Sequence, residues 1–171
     1  MRAMKVFGVS GYSGSGKTTL LAKVIPLLVG RGLRVSTIKQ AHPDFDIDKP
    51  GKDSYQHRAA GAKEVLIVSA RRWALMHEYG GDDEATMEDF LGRMTPVDLL
   101  LVEGFRDWPH PRIEVHRPAL GRALMYPADD RVVAIASDVP LADPGVPVLG
   151  LDDAAGIAEF ISSHCRLEAP R

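Results

Sequence analysis

The glycine-rich run at residues 8–19 constrains the fold of this chain more than any other feature. Four of its positions match the phosphate-binding pattern G-x-x-x-x-G-K-S/T: Gly11, Gly16, Lys17 and Thr18. An apolar run, residues 4–10, precedes the loop, and residues 19–28 follow it with apolar side chains at helical spacing. This order of strand, loop and helix predicts a P-loop that points a helix N-terminus at the phosphates of a nucleotide.

Each residue type in this loop has a physical role. Glycine lets backbone N–H groups turn inward on an anion without a Cβ clash. Lys17 adds a mobile positive charge for the β- and γ-phosphates, and Thr18 offers a hydroxyl to Mg²⁺. We therefore predict nucleotide binding by the following loop residues: Gly11, Ser13, Gly14, Ser15, Gly16, Lys17, Thr18 and Thr19.

The rest of the chain alternates strand-like and helix-like segments. Its 171 residues, 45% of them hydrophobic, suit one domain over 1–171 with a frayed tail at 166–171. The pattern predicts an α/β fold, a three-layer P-loop nucleotide-binding fold with a mostly parallel sheet. Two strand-like runs, residues 64–69 and 73–79, predict an antiparallel hairpin at the edge of that sheet, with Trp73 in the core.

Local capping signals mark three further helices. Ser54 is placed to cap a short helix at 55–61, and Thr86 with Asp89 resembles a capping pair for a second. Asp152 and Asp153 precede the closing helix. We predict the remaining strands at 33–39, 97–102, 112–117, 132–136 and 146–149.

Composition excludes several kinds of protein. The net charge of −2 gives no overall attraction to nucleic acid or to an anionic membrane. Cys165 is the only cysteine, so an internal disulfide and a cysteine metal cluster are both excluded. No apolar run approaches the roughly 20 residues of a membrane span. We expect a soluble, cytoplasmic protein with neither nucleic acid nor membrane as a partner.

Strand polarity separates two acids on the apolar strand at 97–102. Ligands bind beyond the carboxyl ends of parallel strands, and Asp98 and Glu103 lie about 17 Å apart on an extended chain. Only one of them can therefore lie near the metal. We predict that Glu103 holds Mg²⁺ directly or through water, together with Thr18, and that Gly104 lets the backbone pass close to the γ-phosphate.

Two further groups of residues are candidates. The acidic loop at 41–53 is a candidate switch or ligand loop, and its candidate residues are His42, Asp46, Asp48 and Asp53. For each aspartate the alternative is an ordinary solvated carboxylate of a loop. Asp138 follows another strand and is either a reader of a guanine base or a turn residue, since the usual Asn-Lys-x-Asp is absent. The sequence assigns no catalytic residue.

Three segments carry a resemblance to a known family: GYSGSGKTTL at 11–20, HPDFDIDKPGKDSYQHRAAGA at 42–62 and LLLVEGFR at 99–106. Together they resemble the molybdopterin-guanine dinucleotide biosynthesis adapter family, MobB. The resemblance implies a homodimeric, GTP- and Mg²⁺-binding protein with weak hydrolysis. It also implies that the protein assists the attachment of GMP to molybdopterin alongside a molybdopterin guanylyltransferase.

The resemblance gives nucleotide and metal roles to Gly14, Gly16, Lys17, Thr18, Thr19 and Glu103. Two other functions remain open. A small-molecule P-loop kinase would need an acceptor base and an arginine-bearing lid, and we find no convincing lid segment. A metallocentre-maturation GTPase would normally need more metal ligands than this cysteine-poor chain provides.

Overall fold

The computed structural model describes residues 4–41, 45–79 and 85–168. Their Cα positions group into two compact units, formed by described residues of 1–40 with 95–171 and of 41–94. A single domain over 1–171 stays a prediction. His42 and Asp44 of the acidic loop lie outside the described residues.

The elements of the first unit, numbered by their order in the whole chain, are β1 (Lys5–Ser10), α1 (Lys17–Gly30), β2 (Val35–Lys39), β5 (Leu99–Glu103), β6 (Arg112–His116), β7 (Val132–Ser137), β8 (Val148–Gly150) and α4 (Ala154–His164). The six strands form one sheet in which every neighbouring pair is parallel, in the order β2-β5-β1-β6-β7-β8. The predicted α/β fold with a mostly parallel sheet is confirmed.

Helices α1 and α4 pack on the same face of this sheet. Their apolar side chains, such as Leu20 and Ile157, form one core with Phe7, Leu101 and Ala134 of the strands. The side chains of residues 99–102 are completely buried, as expected for an interior strand such as β5, which lies between β2 and β1. Fully burying a side chain of this size contributes about 1.5–3 kcal/mol, so β5 anchors the unit.

Loop segments, rather than helices, cover polar residues of β6 on the opposite face. Arg112 is completely buried and donates to the backbone carbonyls of Arg106 and Trp108. Glu114, also completely buried, accepts from the backbone N–H groups of Met125 and Tyr126 at 2.8 and 3.0 Å. These charged side chains satisfy backbone groups that a loop layer would otherwise bury unpaired.

The second unit contains α2 (Asp53–Ala59), β3 (Glu64–Val68), β4 (Trp73–His77) and α3 (Met87–Arg93). Strands β3 and β4 form an antiparallel sheet of their own rather than an edge of the main sheet. The short connection between them lets the two strands satisfy each other's hydrogen bonds locally.

Three capping predictions and one core prediction have different outcomes. Thr86 and Asp89 form the predicted capping box at α3, and Asp153 accepts from Gly156 N–H at α4. The prediction for Ser54 is wrong, because α2 begins at Asp53, two residues before the predicted start at 55, with Lys52 at the N-cap. The prediction for Trp73 is also wrong: its residue is 65% exposed.

In the predicted frayed tail, Arg166 and Leu167 still donate backbone hydrogen bonds to Ser163 and Ser162 at the end of α4. Among the helices of the described ranges, none combines the length and apolar character needed to cross a membrane.

Candidate functional site

The P-loop connects β1 to α1 and needs glycine for two separate reasons. A Cβ on Gly11 would lie 2.5 Å from the carbonyl oxygen of Val115 and 2.7 Å from Oγ of Ser15, so no larger residue fits. Gly16 has φ of 102° at the N-cap of α1, a left-handed conformation that other residues adopt at a cost of about 1–2 kcal/mol. The loop therefore turns tightly against β6 and enters the helix directly.

Lys17 folds back over the start of the loop. Its Nζ donates to the carbonyl oxygens of Gly11 and Tyr12 at 2.8 and 3.0 Å. Burial lowers the pKa of the Lys17 ammonium, while the Glu103 carboxylate opposes that shift. The Lys17 ammonium is thus held at the loop by two backbone carbonyls and interacts electrostatically with Glu103.

Several features of the loop fit an anion. The first N–H groups of α1 have no acceptor within the helix, Gly16 supplies no side-chain cap, and the first turn contains no acid. The helix dipole adds partial positive charge at this end. Oγ of Ser15 is buried and has no hydrogen-bond partner within the described residues. A phosphate oxygen would satisfy these donors, so the residues present fit the phosphates of a nucleotide.

Thr18 and Glu103 meet at the carboxyl end of the sheet. Oγ1 of Thr18 donates to Oε1 of Glu103 at 3.2 Å, with Oε2 at 3.4 Å, because β1 and β5 pair with Val9 opposite Glu103. The Glu103 side chain is 12% exposed, and Nζ of Lys39 lies 3.6 Å from its Oε1. Hydroxyl and carboxylate oxygens are ligands that suit Mg²⁺, with further positions left to phosphate and water.

Asp98 lies at the other end of the same strand. Its carboxylate forms a salt bridge with Arg34, with Nη2 and Oδ1 2.9 Å apart, and also accepts from the Arg34 backbone N–H. The structure thus separates Asp98 from the P-loop and brings Glu103 to it, as strand polarity predicts.

Gly104 is required by packing at the end of β2. Its φ is 94°, and a Cβ there would lie 2.7 Å from Cβ of Gln40. Oε1 of Gln40 accepts from the Phe105 backbone N–H at 2.9 Å. Contact with Gln40 therefore fixes the sharp turn after Glu103. The predicted approach of Gly104 to a γ-phosphate stays a prediction.

Arg117, immediately after β6, is a site residue that we did not predict. Its Nε donates to the carbonyl oxygen of Ser15 at 2.9 Å, and its Nη1 forms a salt bridge of 2.8 Å with Oδ2 of Asp138. A Cβ on Gly16 would lie 3.6 Å from its Nη2. The one signal in the sequence was its position after the carboxyl end of a strand, where parallel strands meet the P-loop.

Asp138 follows β7 and lines a cavity of about 390 Å³ at the ends of β7 and β8. The cavity is lined by Ser137, Asp138, Val139, Pro140, Leu141, Val148, Leu149 and Gly150. Asp138 is therefore both an ion-pair partner of Arg117 and part of a cavity wall. Its predicted role as a base reader stays a prediction.

The acids of the predicted switch loop are bound within the second unit. Nη2 of Arg58 lies 2.9 Å from Oδ1 of Asp46 and 2.7 Å from Oδ1 of Asp48, and its Nη1 lies 2.9 Å from Oε1 of Glu78. Hydrogen bonding to Arg58 lowers the pKa of the Asp48 carboxyl. Asp53 lies in the first turn of α2. A role for these acids toward a ligand stays a prediction, as does that of His42.

Within the part of the chain that the structure describes, no group of three or more histidine, cysteine or acidic side chains is arranged to hold a metal ion. Thr18 and Glu103 are therefore a pair that would need oxygen ligands from a bound nucleotide or water.

Comparison with known proteins gives consistent matches. A family model described as "Molybdopterin guanine dinucleotide synthesis protein B", MobB, matches residues 6–138. The chain is 44% identical over 155 residues to the molybdopterin-guanine dinucleotide biosynthesis adapter protein of Escherichia coli, covering 89% of this chain and 88% of that protein. It is 40% identical over 161 residues to the protein of the same name from Haemophilus influenzae, covering 92% and 88%.

Solved structures match over nearly the whole chain. A crystal structure of molybdopterin-guanine biosynthesis protein B has a TM-score of 0.72 at 27% identity and covers 93% of this chain and 99% of that chain. The crystal structure of Bacillus subtilis MobB has a TM-score of 0.73 at 25% identity and covers 96% and 100%.

Proposed function

This chain belongs to the molybdopterin guanine dinucleotide synthesis protein B family, MobB, and we propose that it is a GTP-binding adapter protein of molybdopterin-guanine dinucleotide biosynthesis. The observation that supports nucleotide binding most directly is the P-loop with Thr18 and Glu103 hydrogen-bonded beside it. The adapter role is supported by the names of the relatives from Escherichia coli and Haemophilus influenzae.

In this proposal the phosphates bind the first N–H groups of α1, and Ser15 donates its hydroxyl. Lys17 exchanges its two carbonyl acceptors for phosphate oxygens, which suits an ammonium whose burial favours a strong anionic partner. Thr18 and Glu103 hold Mg²⁺, directly or through water. At this place a bound Mg²⁺ would supply positive charge to neutralise the phosphates.

We propose that hydrolysis of GTP is weak, because the acid nearest the P-loop is already engaged. Glu103 accepts from Thr18 and lies 3.6 Å from the ammonium of Lys39, an arrangement that favours a metal partner over a general base for water. The family resemblance supports the same conclusion, and attachment of GMP to molybdopterin is assigned to a separate guanylyltransferase.

An apolar face on the hairpin supports a protein partner. Cross-strand pairing places two neighbouring pairs on one side of β3 and β4, and all four residues are exposed: Leu66 with Leu75, and Val68 with Trp73. Contiguous exposed apolar surface of this kind marks interaction sites in soluble proteins. We propose that a second copy of this chain covers it, giving the homodimer that the resemblance implies, while the guanylyltransferase and molybdopterin bind elsewhere.

A cytoplasmic location is part of the same proposal. It is supported by the single free cysteine, Cys165, which cannot form an internal disulfide, as is usual for proteins of a reducing compartment. Burial raises the pKa of the Cys165 thiol to about 11, so this side chain is an inert part of the core.

The experiment that tests this function follows two quantities with Mg²⁺ present: the γ-phosphate of labelled GTP, and the dinucleotide that the guanylyltransferase forms from GTP and molybdopterin. Our proposal predicts tight binding of GTP, slow release of free phosphate, and faster formation of the dinucleotide by the guanylyltransferase when this protein is added. Label transferred to a small-molecule acceptor would instead identify a kinase. Turnover that depends on Ni²⁺ would identify a metallocentre GTPase. An adapter that leaves product formation unchanged would contradict the proposal.

A further inference from the structure

We propose that Lys39 distinguishes a nucleoside triphosphate from a diphosphate, by leaving its ion pair with Glu103 to bind the terminal phosphate. This inference rests on the proposed function, since it assumes that a nucleotide binds at the P-loop. It adds a specificity-determining residue outside the P-loop motif and the distinction that this residue makes between two nucleotides.

Lys39 lies at the level of the P-loop because of the register of three strands. As the last residue of β2, it pairs with Glu103 of β5, which in turn pairs with Val9 of β1. The order β2-β5-β1 therefore places Glu103 between Lys39 and the strand that leads into the P-loop. Ligands of parallel sheets bind beyond the carboxyl ends of the strands, which is the edge that Lys39 occupies.

The ammonium of Lys39 shares one carboxylate oxygen with the hydroxyl of Thr18. Its Nζ lies 3.6 Å from Oε1 of Glu103, and Oγ1 of Thr18 donates to the same oxygen at 3.2 Å. The ammonium is therefore at most about 7 Å from the hydroxyl, a range over which charges at partly buried sites interact strongly. Lys39 thus lies close to the place where a P-loop threonine helps to hold a metal beside phosphates.

The contact between Lys39 and Glu103 is easily exchanged for another partner. At 3.6 Å it is an ion pair but not a hydrogen bond. The Lys39 side chain is 56% exposed, and exposed pairs of this kind contribute little to stability. A phosphate oxygen accepts a charge-assisted hydrogen bond from an ammonium, so it would be the stronger partner.

The backbone next to Lys39 is fixed by Gln40. The N–H of Gln40 donates to the carbonyl oxygen of Glu103 at 2.8 Å, and Oε1 of Gln40 accepts from the Phe105 backbone N–H at 2.9 Å. These bonds join the ends of β2 and β5. A change of partner by Lys39 therefore needs only rotations within its flexible four-carbon stem, with no rearrangement of the sheet.

The charges near Lys39 favour a ligand with more phosphate. Burial is the main cause that lowers the pKa of Lys17, and the positive charge of Lys39 lowers it further, so the two ammonium groups repel each other. Both lie near one carboxylate, that of Glu103, and the positive charge of these three residues exceeds the negative. An additional phosphate at this place would relieve the repulsion.

Lys39 lies on the side of the P-loop that the terminal phosphate would occupy. Strands β5 and β2 flank β1 on one side, whereas β6, β7 and β8 lie on the other. Asp138, the predicted base contact, follows β7. A nucleotide with its base there would extend its phosphates across the P-loop toward β5 and β2, and its third phosphate would face Glu103 and Lys39.

The test compares the affinities of GTP and GDP, both with Mg²⁺, by calorimetry. In the wild-type protein we expect GTP to bind at least about tenfold more tightly than GDP. Lys39→Met keeps an apolar stem but removes the charge, so it should lower GTP affinity by about tenfold, as expected for the loss of one charge-assisted hydrogen bond. GDP affinity should change by less than about twofold, because a diphosphate offers Lys39 no third phosphate.

Lys23→Met is the matched control. Lys23 forms an ion pair with Asp152, and its side chain is 50% exposed compared with 56% for Lys39. Both variants remove one positive charge, so the general effect of net charge on anion binding is present in each. The control should keep the wild-type ratio of GTP to GDP affinity. Lys39→Gln, a polar neutral variant, takes the place of Lys39→Met if urea unfolding shows that the methionine impairs folding.

The outcomes separate this inference from the proposed function. An equal loss of GTP and GDP affinity in Lys39→Met would indicate a general electrostatic or structural role and would overturn the inference. Unchanged GTP affinity in that variant, or a wild-type protein that binds GTP and GDP equally, would also overturn it, while the proposed GTP binding would stand. If neither nucleotide binds the wild-type protein, the proposed function itself fails.

Discussion

The hydroxyl of Thr18 lies 3.2 Å from the carboxylate of Glu103, although 85 residues separate them along the chain. The contact arises because β1 and β5 are parallel neighbours, so the P-loop and the end of β5 emerge side by side. This pair is the part of the molecule best arranged to hold a divalent cation against bound phosphate.

Glu103→Gln should weaken GTP binding by about tenfold in the presence of Mg²⁺, equivalent to about 1.4 kcal/mol, and much less in its absence. The reason is that an amide keeps the size of the side chain but loses the charge that attracts the cation. Calorimetry with Mg²⁺ and with EDTA measures the GTP affinity under the two conditions. Glu159→Gln, which removes an acid from an exposed pair with Arg31, is the control. An equal loss under both conditions would mean that Glu103 has no role toward the metal.

Because His110 is buried, we expect the protein to lose stability in mild acid. Its side chain is 2% exposed, and neither ring nitrogen has a hydrogen-bond partner within the described ranges. Burial, followed by the nearby charges of Arg112 and Arg131, lowers the pKa of His110 to about 4. In the unfolded chain the imidazole of His110 takes up a proton near pH 6.5, whereas in the folded protein it stays neutral down to about pH 4. The stability that depends on neutral His110 is therefore complete above pH 6.5 and is lost as the pH falls toward 4.

The free energy of unfolding should fall by up to about 3 kcal/mol between pH 6.5 and pH values below 4. Urea unfolding at a series of pH values measures this change. His110→Phe keeps a ring in the same space and should flatten the dependence between pH 6.5 and 4. His57→Phe, at an exposed position on α2, should leave it unchanged. A wild-type slope that persists in His110→Phe would assign the effect to other groups.

The sequence predicts those parts of the site that depend on contiguous residues or on strand direction. Lys17 and Thr18 belong to a local motif, and Glu103 could be chosen over Asp98 because the carboxyl ends of parallel strands share one edge. The capping box of Thr86 and Asp89 is equally local. In each case the interaction is specified by residues close in sequence or by a general rule of sheets.

Arg117 and Trp73 show what such reasoning misses. Arg117 contacts Ser15 across 102 residues, and no local pattern distinguishes it from other surface arginines. The sequence predicts Trp73 as a core residue because it is large and apolar. Among the strands of the described residues, however, its strand pairs with β3 alone, and the face of the hairpin that carries Trp73 is exposed. Both depend on which strands become neighbours, information that hydrophobic period alone does not contain.

Trp73→Glu should convert the proposed homodimer to a monomer, because it places a charge on the exposed apolar face of the hairpin, opposite Val68. Sedimentation velocity measures the change, with circular dichroism as the test of folding. Val29→Glu puts the same charge on exposed apolar surface of α1 and should leave a dimer. A wild-type protein that sediments as a monomer, or a Trp73→Glu variant that remains dimeric, would exclude this surface as the interface.

The most direct test of the account is the affinity of Mg²⁺-GTP for Lys17→Ala beside Lys23→Ala, measured by calorimetry. Both variants remove one lysine charge from α1, but Lys17 binds the loop carbonyls whereas Lys23 forms an exposed pair with Asp152. We predict that Lys17→Ala lowers the affinity by at least about 100-fold, or about 2.7 kcal/mol, while Lys23→Ala stays within about twofold of the wild-type protein. Equal affinities for the two variants would contradict the assignment of this loop as the nucleotide site.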